Sequence, residues 1–311
     1  MATSGTHTFT LMRDQVIRHA FLLLNIYDIN TTISSDDLNY ANDHLNMMLL
    51  YWSSQGIRLW KRKQLYVFPA LNTLQYSLGL TGDHNTESYI ATELTVAALA
   101  AATTLTVTST TGMTAGDHIG IELDSGVRQW TTIVSVNSAT GLTITAGLSG
   151  AAAIDNTIIT YTSKASRPLR LIRGTTLDLK NDQTETTMMA LSFDEYFNMP
   201  AKTTAGTPNN YYYDKALPTG QLYLFPRPND VSKICTFTYL KPIEDSGDAT
   251  DEIDIPKEWL LPAVWNLGVQ LAYPYEKTPM IQALEMKAKE LFESVKYYDT
   301  DDESMRLGVI D

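Results

Sequence analysis

The amino-acid sequence predicts an α+β protein. Its expected parts are a helical bundle core from the N- and C-terminal segments, flanking β-hairpins, and an inserted small all-β domain, either barrel or sandwich. Three observations carry this prediction. Apolar residues recur at helical spacing near both ends of the chain. Residues 83–165 are rich in Thr, Ala, Ser and Gly, poor in charge, and carry short alternating apolar runs. Helix signals lie on both sides of that block and not within it. The expected organisation is residues 1–82 and 166–311 as the helical core with hairpins, 83–165 as the inserted domain, and 299–311 as an extended C-terminal tail.

In chain order, Ile17, Ala20, Phe21 and Leu24 set an amphipathic helix over 11–27. A second helix is expected over 36–55. Ser34 and Asp37 fit a capping box at its start, and Gly56 ends it. Its apolar face is Leu38, Ala41, Leu45, Met48, Leu49 and Trp52. Residues 65–69 and 74–78 are strand-like and flank a turn. Within the insert, runs at 104–108, 117–123, 130–136, 142–145 and 157–162 read as strands separated by Gly, Asn and Asp turns. Arg167–Pro168 marks the exit.

Beyond the insert, 168–180 and 186–191 are expected to pair as a hairpin. Residues 211–214, 221–226 and 234–240 are expected as three strands of a meander. Ser192 and Glu195 fit a second capping box, which starts a short helix at FDEYF. The stretch 244–254 carries six acids and no base, and reads as a solvated loop. Pro256 opens a helix with Trp259, Leu260, Val264, Leu267 and Leu271, and Pro262 falls in its first turns. Thr278 and Pro279 set up the last helix as cap and first residue. Ile281, Leu284, Ala288, Leu291 and Val295 then alternate three and four apart, a narrow seam suited to packing on one other helix.

Composition excludes several classes. A chain of 311 residues with 44% hydrophobic and 19% charged residues can bury one large core or two modest ones. Its formal net charge of −12 opposes wrapping of nucleic acid, which needs clustered Lys and Arg. The nearest basic run, RLWKRK at 58–63, reads as a solvated strand end. Cys235 is the one cysteine, so no internal disulfide forms; within ICTFTY it reads as a buried, inert thiol. The N-terminus has no basic region followed by an apolar core, so no signal peptide is expected. The most apolar stretches, 20–26 and 96–107, fall short of the roughly 20 residues a membrane span requires. Cytoplasmic synthesis with no membrane partner is therefore expected.

Chemical signatures are sparse. The sequence has no P-loop, dinucleotide fingerprint, H-E-x-x-H or C-x-x-C. His7, His19, His44, His84 and His118 are scattered without metal-ligand spacing, which favours solvent-facing or capping roles. No catalytic, metal or cofactor residue is assigned. The best-placed acids are Asp194 and Glu195, beside Phe193, Tyr196 and Phe197. An apolar setting would raise a carboxyl pKa for acid catalysis, whereas a helix N-terminus would simply favour their charge. Tyr211, Tyr212, Tyr213, Tyr223 and Phe225 either stack on sugars or bases, or fill a core or a protein interface. At the C-terminus Met305, Leu307 and Val309 alternate with Arg306 and Gly308, and Ile310 follows. Such a tail can add to a partner as a strand, or fray.

The strings VIRHAFLLLNIYD and SSDDLNYANDHLNMMLLYWSSQGI form a helix, a loop, and a long helix ending in Trp52 and Gly56. This opening resembles that of the tail-adaptor proteins of short-tailed bacteriophages, also known as head-completion, packaged-DNA-stabilising or head-to-tail connector proteins. FDEYFNMPAKTTAGTPNNYYYD with GQLYLFPRPND, and IPKEWLLPAVWNLGVQLAYPY, are similar to longer members, as is the insert string AGDHIGIELDSGVRQWTTIVSVN. The insert is the departure from compact members. The resemblance implies a non-enzymatic ring, usually of twelve copies, beneath the portal at the head–tail junction of the virion. DNA would pass through its lumen without sequence-specific binding. Its implied partners are the portal protein, a downstream nozzle or hub protein, and copies of itself. The C-terminal segment is implied to reach the portal, which makes Met305, Leu307, Val309 and Ile310 the expected docking residues. Two alternatives remain at this point: a wall-degrading hydrolase of the virion using Asp194 and Glu195, and a carbohydrate-binding tail module in the insert.

Overall fold

A computed structural model describes residues 9–54, 61–180 and 184–298. The fold is α+β, with more sheet than helix. Five α-helices form among the described residues: α1 (Arg13–Leu23), α2 (Ser35–Ser54), α3 (Phe193–Phe197), α4 (Leu260–Ala272) and α5 (Thr278–Tyr298). The chain divides into two compact units, one of residues 1–61 with 242–311 and one of residues 62–241.

The first unit is built on α1, α2, α4 and α5. Val16, Ile17, Ala20 and Phe21 of α1 meet Ala41, Leu45, Leu49 and Trp52 of α2 in one apolar cluster, which Leu267 and Leu271 of α4 and Ile281 and Leu284 of α5 complete. Helix α1 stops earlier than the expected residue 27. Leu24 is its C-cap, and Asn25 then takes a left-handed φ of 49°, a helix-ending conformation that Asn tolerates. Pro262 is accommodated because it falls in the first turn of α4, where no intrahelical N–H is required. The acidic stretch 244–254 is a loop as expected, its acids exposed or half-exposed, and it is also held against the helices. Arg13 Nη1 donates to Gly247 O at 2.5 Å, and buried Ser246 bonds Asn46 of α2. Arg13 of α1 and Asn46 of α2 bond its backbone, so its acids coat a held segment.

The second unit holds the strands. In order these are β1 (Arg62–Val67), β2 (Gln75–Leu78), β3 (Asn85–Thr86), β4 (Ile90–Glu93), β5 (Thr104–Thr106), β6 (His118–Glu122), β7 (Arg128–Val136), β8 (Gly141–Ile144) and β9 (Thr157–Tyr161). They continue with β10 (Arg170–Asp178), β11 (Glu185–Ala190), β12 (Ala205–Gly206), β13 (Asn210–Asp214), β14 (Gly220–Phe225), β15 (Arg227–Pro228) and β16 (Lys233–Leu240).

Strands β4 to β9 form a six-stranded sheet ordered β4-β9-β6-β7-β8-β5. Its edges meet at an antiparallel bridge between Leu94 and Val107, which curls it towards a barrel. The five expected runs are all strands; β4 went unforeseen because its side chains are at most half-buried and give no strong alternation. Inside lie Ile119, Ile121, Ile133, Leu142 and Ile158.

The remaining long strands were expected as separate hairpins and a meander. They form one eight-stranded sheet ordered β2-β14-β13-β11-β10-β16-β1-β3. The β10–β11 hairpin is present, with Gly174 opposite Met188. The meander is not. Strands β13 and β14 pair, but β14 then pairs with β2, while β16 lies between β10 and β1. Pro226 and Pro228 break the chain out of the ladder, because neither can donate a backbone N–H. A small cluster of Phe68, Ile159, Tyr161, Leu177 and Ile234 packs β9 of one sheet against β10 and β16 of the other.

Candidate assembly surface

The acid pair sits at the start of α3, where Glu195 is engaged in the helix cap. Ser192 caps α3, its Oγ accepting from Glu195 N at 3.3 Å while Glu195 Oε2 accepts from Ser192 N at 2.7 Å. These bonds hold the Glu195 carboxyl below its ordinary value, the opposite of what a general acid at neutral pH requires. Phe193 and Phe197 beside it are exposed.

The expected aromatic group is divided by its strands. Tyr211 faces the core, its ring 5.0 Å edge-on from Phe237. Tyr212 and Tyr223 are cross-strand partners on the other face and meet Tyr196 and Phe197 of α3. Cys235 is buried on β16, and burial pushes its thiol up to about 12.

The histidines are less scattered than their spacing suggests. His84 stacks on Trp130 at 3.9 Å and lies 5.8 Å from the ring of His118, with Nδ1 2.5 Å from the Tyr161 hydroxyl. Strand register brings them together, a relationship that scattered spacing does not reveal. The expected solvent-facing or capping role does not hold for His84: burial, with Lys164 and His118 adding, brings it down to about 4. No group of three or more His, Cys, Asp or Glu placed to hold a metal occurs among the described residues. No helix among them is long and apolar enough to cross a membrane.

One exposed apolar surface lies on the first unit. Helix α2 buries Leu45, Met48, Leu49 and Trp52, yet Met47, Leu50 and Tyr51 point outward at 55%, 52% and 62% exposure. Beside this ridge runs a groove of about 400 Å³ lined by Trp52, Val269, Ala288 and Phe292, with Lys289 and Lys296 among its charged residues. Trp52 and Phe292 stand 5.2 Å apart, and Trp259 packs 5.4 Å from each. The outward ridge was not singled out from the sequence, which assigned α2 one apolar face. The signal was the run MMLLYW, too apolar to fit a single stripe. The expected portal-docking residues Met305, Leu307, Val309 and Ile310 lie outside the described residues, as do residues 58–60 of the basic run.

Comparison with known proteins gives three results. A family model described as the SU10 adaptor protein matches residues 86–309. No curated protein matches the chain. Among solved structures, VP17, a capsid protein of bacteriophage P23-77, is similar at 13% identity over 60% of this chain and 77% of that one, with a TM-score of 0.12 that carries no argument about fold.

Proposed function

The chain belongs to the SU10 adaptor protein family, a family of phage adaptors, and on that premise we propose that it is a head-to-tail connector of a short-tailed phage. It is a structural component of the virion, and it works by assembling rather than by turning over a substrate. Copies close into a ring, twelve by the earlier resemblance, beneath the portal, with the helical unit as the ring-forming bundle. A downstream tail protein docks on the opposite side, and the genome passes through the lumen.

The observation that carries this reading is the outward apolar ridge of Met47, Leu50 and Tyr51 on a helix whose inner face is already fully packed. Exposed apolar side chains in a contiguous patch mark a protein contact. The net charge of −12 supports the second half of the reading. An acidic lumen repels duplex phosphate and lets it slide, over a screening distance of about 8–10 Å in physiological salt.

Residues 299–311 supply the portal contact, with Met305, Leu307, Val309 and Ile310 inserted as alternating anchors. Electron microscopy of the full chain mixed with the portal of its own phage tests the proposal by counting subunits. A closed ring is expected, and deletion of 299–311 is expected to leave the fold intact while abolishing portal capture. A wild-type chain that never rings on the portal, or clears peptidoglycan, overturns the reading.

A further inference from the structure

We propose that adjacent copies in the ring contact each other by seating the α2 ridge of one in the α2–α4–α5 groove of the next; the inference rests on the ring reading above. Three observations on the helical unit point to a second copy of this chain as the occupant.

The first is shape. Met47 and Leu50 stand exposed on α2, bordering a hollow against Ser246 and Gly247, and the neighbouring groove, with Tyr51 at its edge, offers an apolar lining of Trp52, Val269, Ala288 and Phe292. Helices pack by placing such ridges into such grooves. The same unit therefore carries both halves of a contact.

The second is charge. The α2 sequence SDDLNYANDHLNMMLLYWSS contains Asp36, Asp37 and Asp43 and no Lys or Arg. The groove carries Lys289 and Lys296. Asp43 stands one turn before Met47 on the exposed side of α2, and neither it nor Lys289 makes an ion pair among the described residues. The groove also carries Glu285 and Glu293, so its formal charge is balanced and the complementarity is local, between Asp43 and Lys289. Seating the ridge would bring the unpaired Asp43 of one copy towards the unpaired Lys289 of the next, the arrangement that fixes register at an interface.

The third is composition. The ridge and groove are rich in Met, Tyr, Trp and Phe, the residue types enriched at the centre of protein contacts. Interchain contacts of this head-to-tail kind close into rings when the rotation per copy divides a full turn.

Paired cysteines read the contact directly, because the single native cysteine, Cys235, is buried. The full chain carrying D43C and K289C together is assembled on the portal ring of its own phage and oxidised. The expected result is a ladder of covalent multimers, with each single variant remaining monomeric. M47E/L50E, at two exposed positions, is expected to keep the helical content of the wild type and to lose at least tenfold in ring yield. A wild type that rings while D43C/K289C gives no ladder overturns the inference and leaves the ring reading standing. A dimer formed by D43C alone sets α2 against α2 and overturns the groove assignment. A wild type that forms no ring removes the ring reading itself. Should M47E/L50E misfold, the cysteine ladder still decides.

Discussion

The Tyr275 hydroxyl, in the turn between α4 and α5, donates to Asp37 Oδ1 in the first turn of α2, 238 positions away in sequence. The other carboxylate oxygen accepts from Tyr27, and Ser34 Oγ donates to it at 2.7 Å. Hydrogen bonds from Tyr27 first, then Tyr275 and Ser34, hold the Asp37 carboxyl below its ordinary value of 3.8. One carboxylate thus joins the α1–α2 loop, the start of α2 and the α4–α5 turn.

D37A is expected to destabilise the helical unit by about 2 kcal/mol, because the Tyr27, Tyr275 and Ser34 hydroxyls all lose their acceptor while the backbone cap on Ser34 stays. The pH dependence has a definite sign. The carboxyl is depressed in the folded state, so the unfolded chain binds its proton first. The stabilisation is complete above the ordinary carboxylate value and is lost as pH falls through the lower folded one. Denaturant melts of wild type and D37N followed by circular dichroism check this: the gap between them should close towards pH 3. A gap that stays constant down to that pH contradicts it.

A buried charge group offers a second test. Arg128 on β7 donates through Nη2 to Val231 O, but its Nε and Nη1 have no hydrogen-bond partner among the described residues. Burial brings it down to about 10, against the opposing pull of Glu122 and Asp230. Glu122 accepts from Thr157 N at 3.1 Å and from Lys180 Nζ at 2.6 Å. Removing the anion takes the acceptor from buried Thr157 and one of the two carboxylates whose field favours the buried guanidinium, so E122A is expected to cost about 3 kcal/mol. R128M removes a group already under-satisfied and is expected to stay within about 1 kcal/mol of wild type. The half-exposed Lys180 contributes little, and K180A should cost under about 1 kcal/mol. Urea unfolding of the three variants gives the ranking, and R128M falling below E122A in stability would refute it.

These two groups show what the sequence discloses and what it hides. Helix α2 is legible because its cap and face lie within one short stretch, and Ser34 does cap it by accepting from Asp37 N, while Gly56, its expected end, lies outside the described residues. The tyrosines on Asp37 are not, since nothing local links residue 275 to residue 37. The insert strands read well because each is short, alternating and bounded by turns. The eight-stranded sheet reads poorly because its β1–β16 ladder pairs Arg62 with Leu240, and no neighbouring residue announces so distant a partner. The α2 ridge was hidden differently: its residues were visible, but a helix is read for the face it buries.

Sheet packing gives a third prediction. Gly174 on β10 lies beneath two rings, and a Cβ there would stand 2.7 Å from Phe237 and 2.9 Å from Tyr211. The glycine is required by close approach. G174A is expected to cost about 1–3 kcal/mol through overpacking. F237L makes room while costing stability of its own, so the double variant should be less destabilised than the sum of the singles. A double-mutant cycle by chemical unfolding measures the coupling, and simple additivity would show that the rings move aside freely.

The last prediction concerns His84 in the second unit. Its ring is stacked on Trp130 and its value is brought to about 4, first by burial and then by Lys164 and His118. In the unfolded chain the same imidazole takes a proton near 6.5. Above that value both states are neutral and the group has no effect on stability. As pH falls from 6.5 to about 4, only the unfolded chain gains the proton, and the folded state loses ground. Because the ring is partly exposed, the loss is expected at about 1–2 kcal/mol rather than the full desolvation figure. His118 is also lowered by burial and adds to the effect in the same direction, so the fair comparison keeps it in place. H84Q should flatten the stability profile between pH 6.5 and 4 while leaving the profile below pH 4 parallel to wild type. Equal slopes for the two proteins across that window would mean that His84 takes its proton in the folded state as readily as in the unfolded chain.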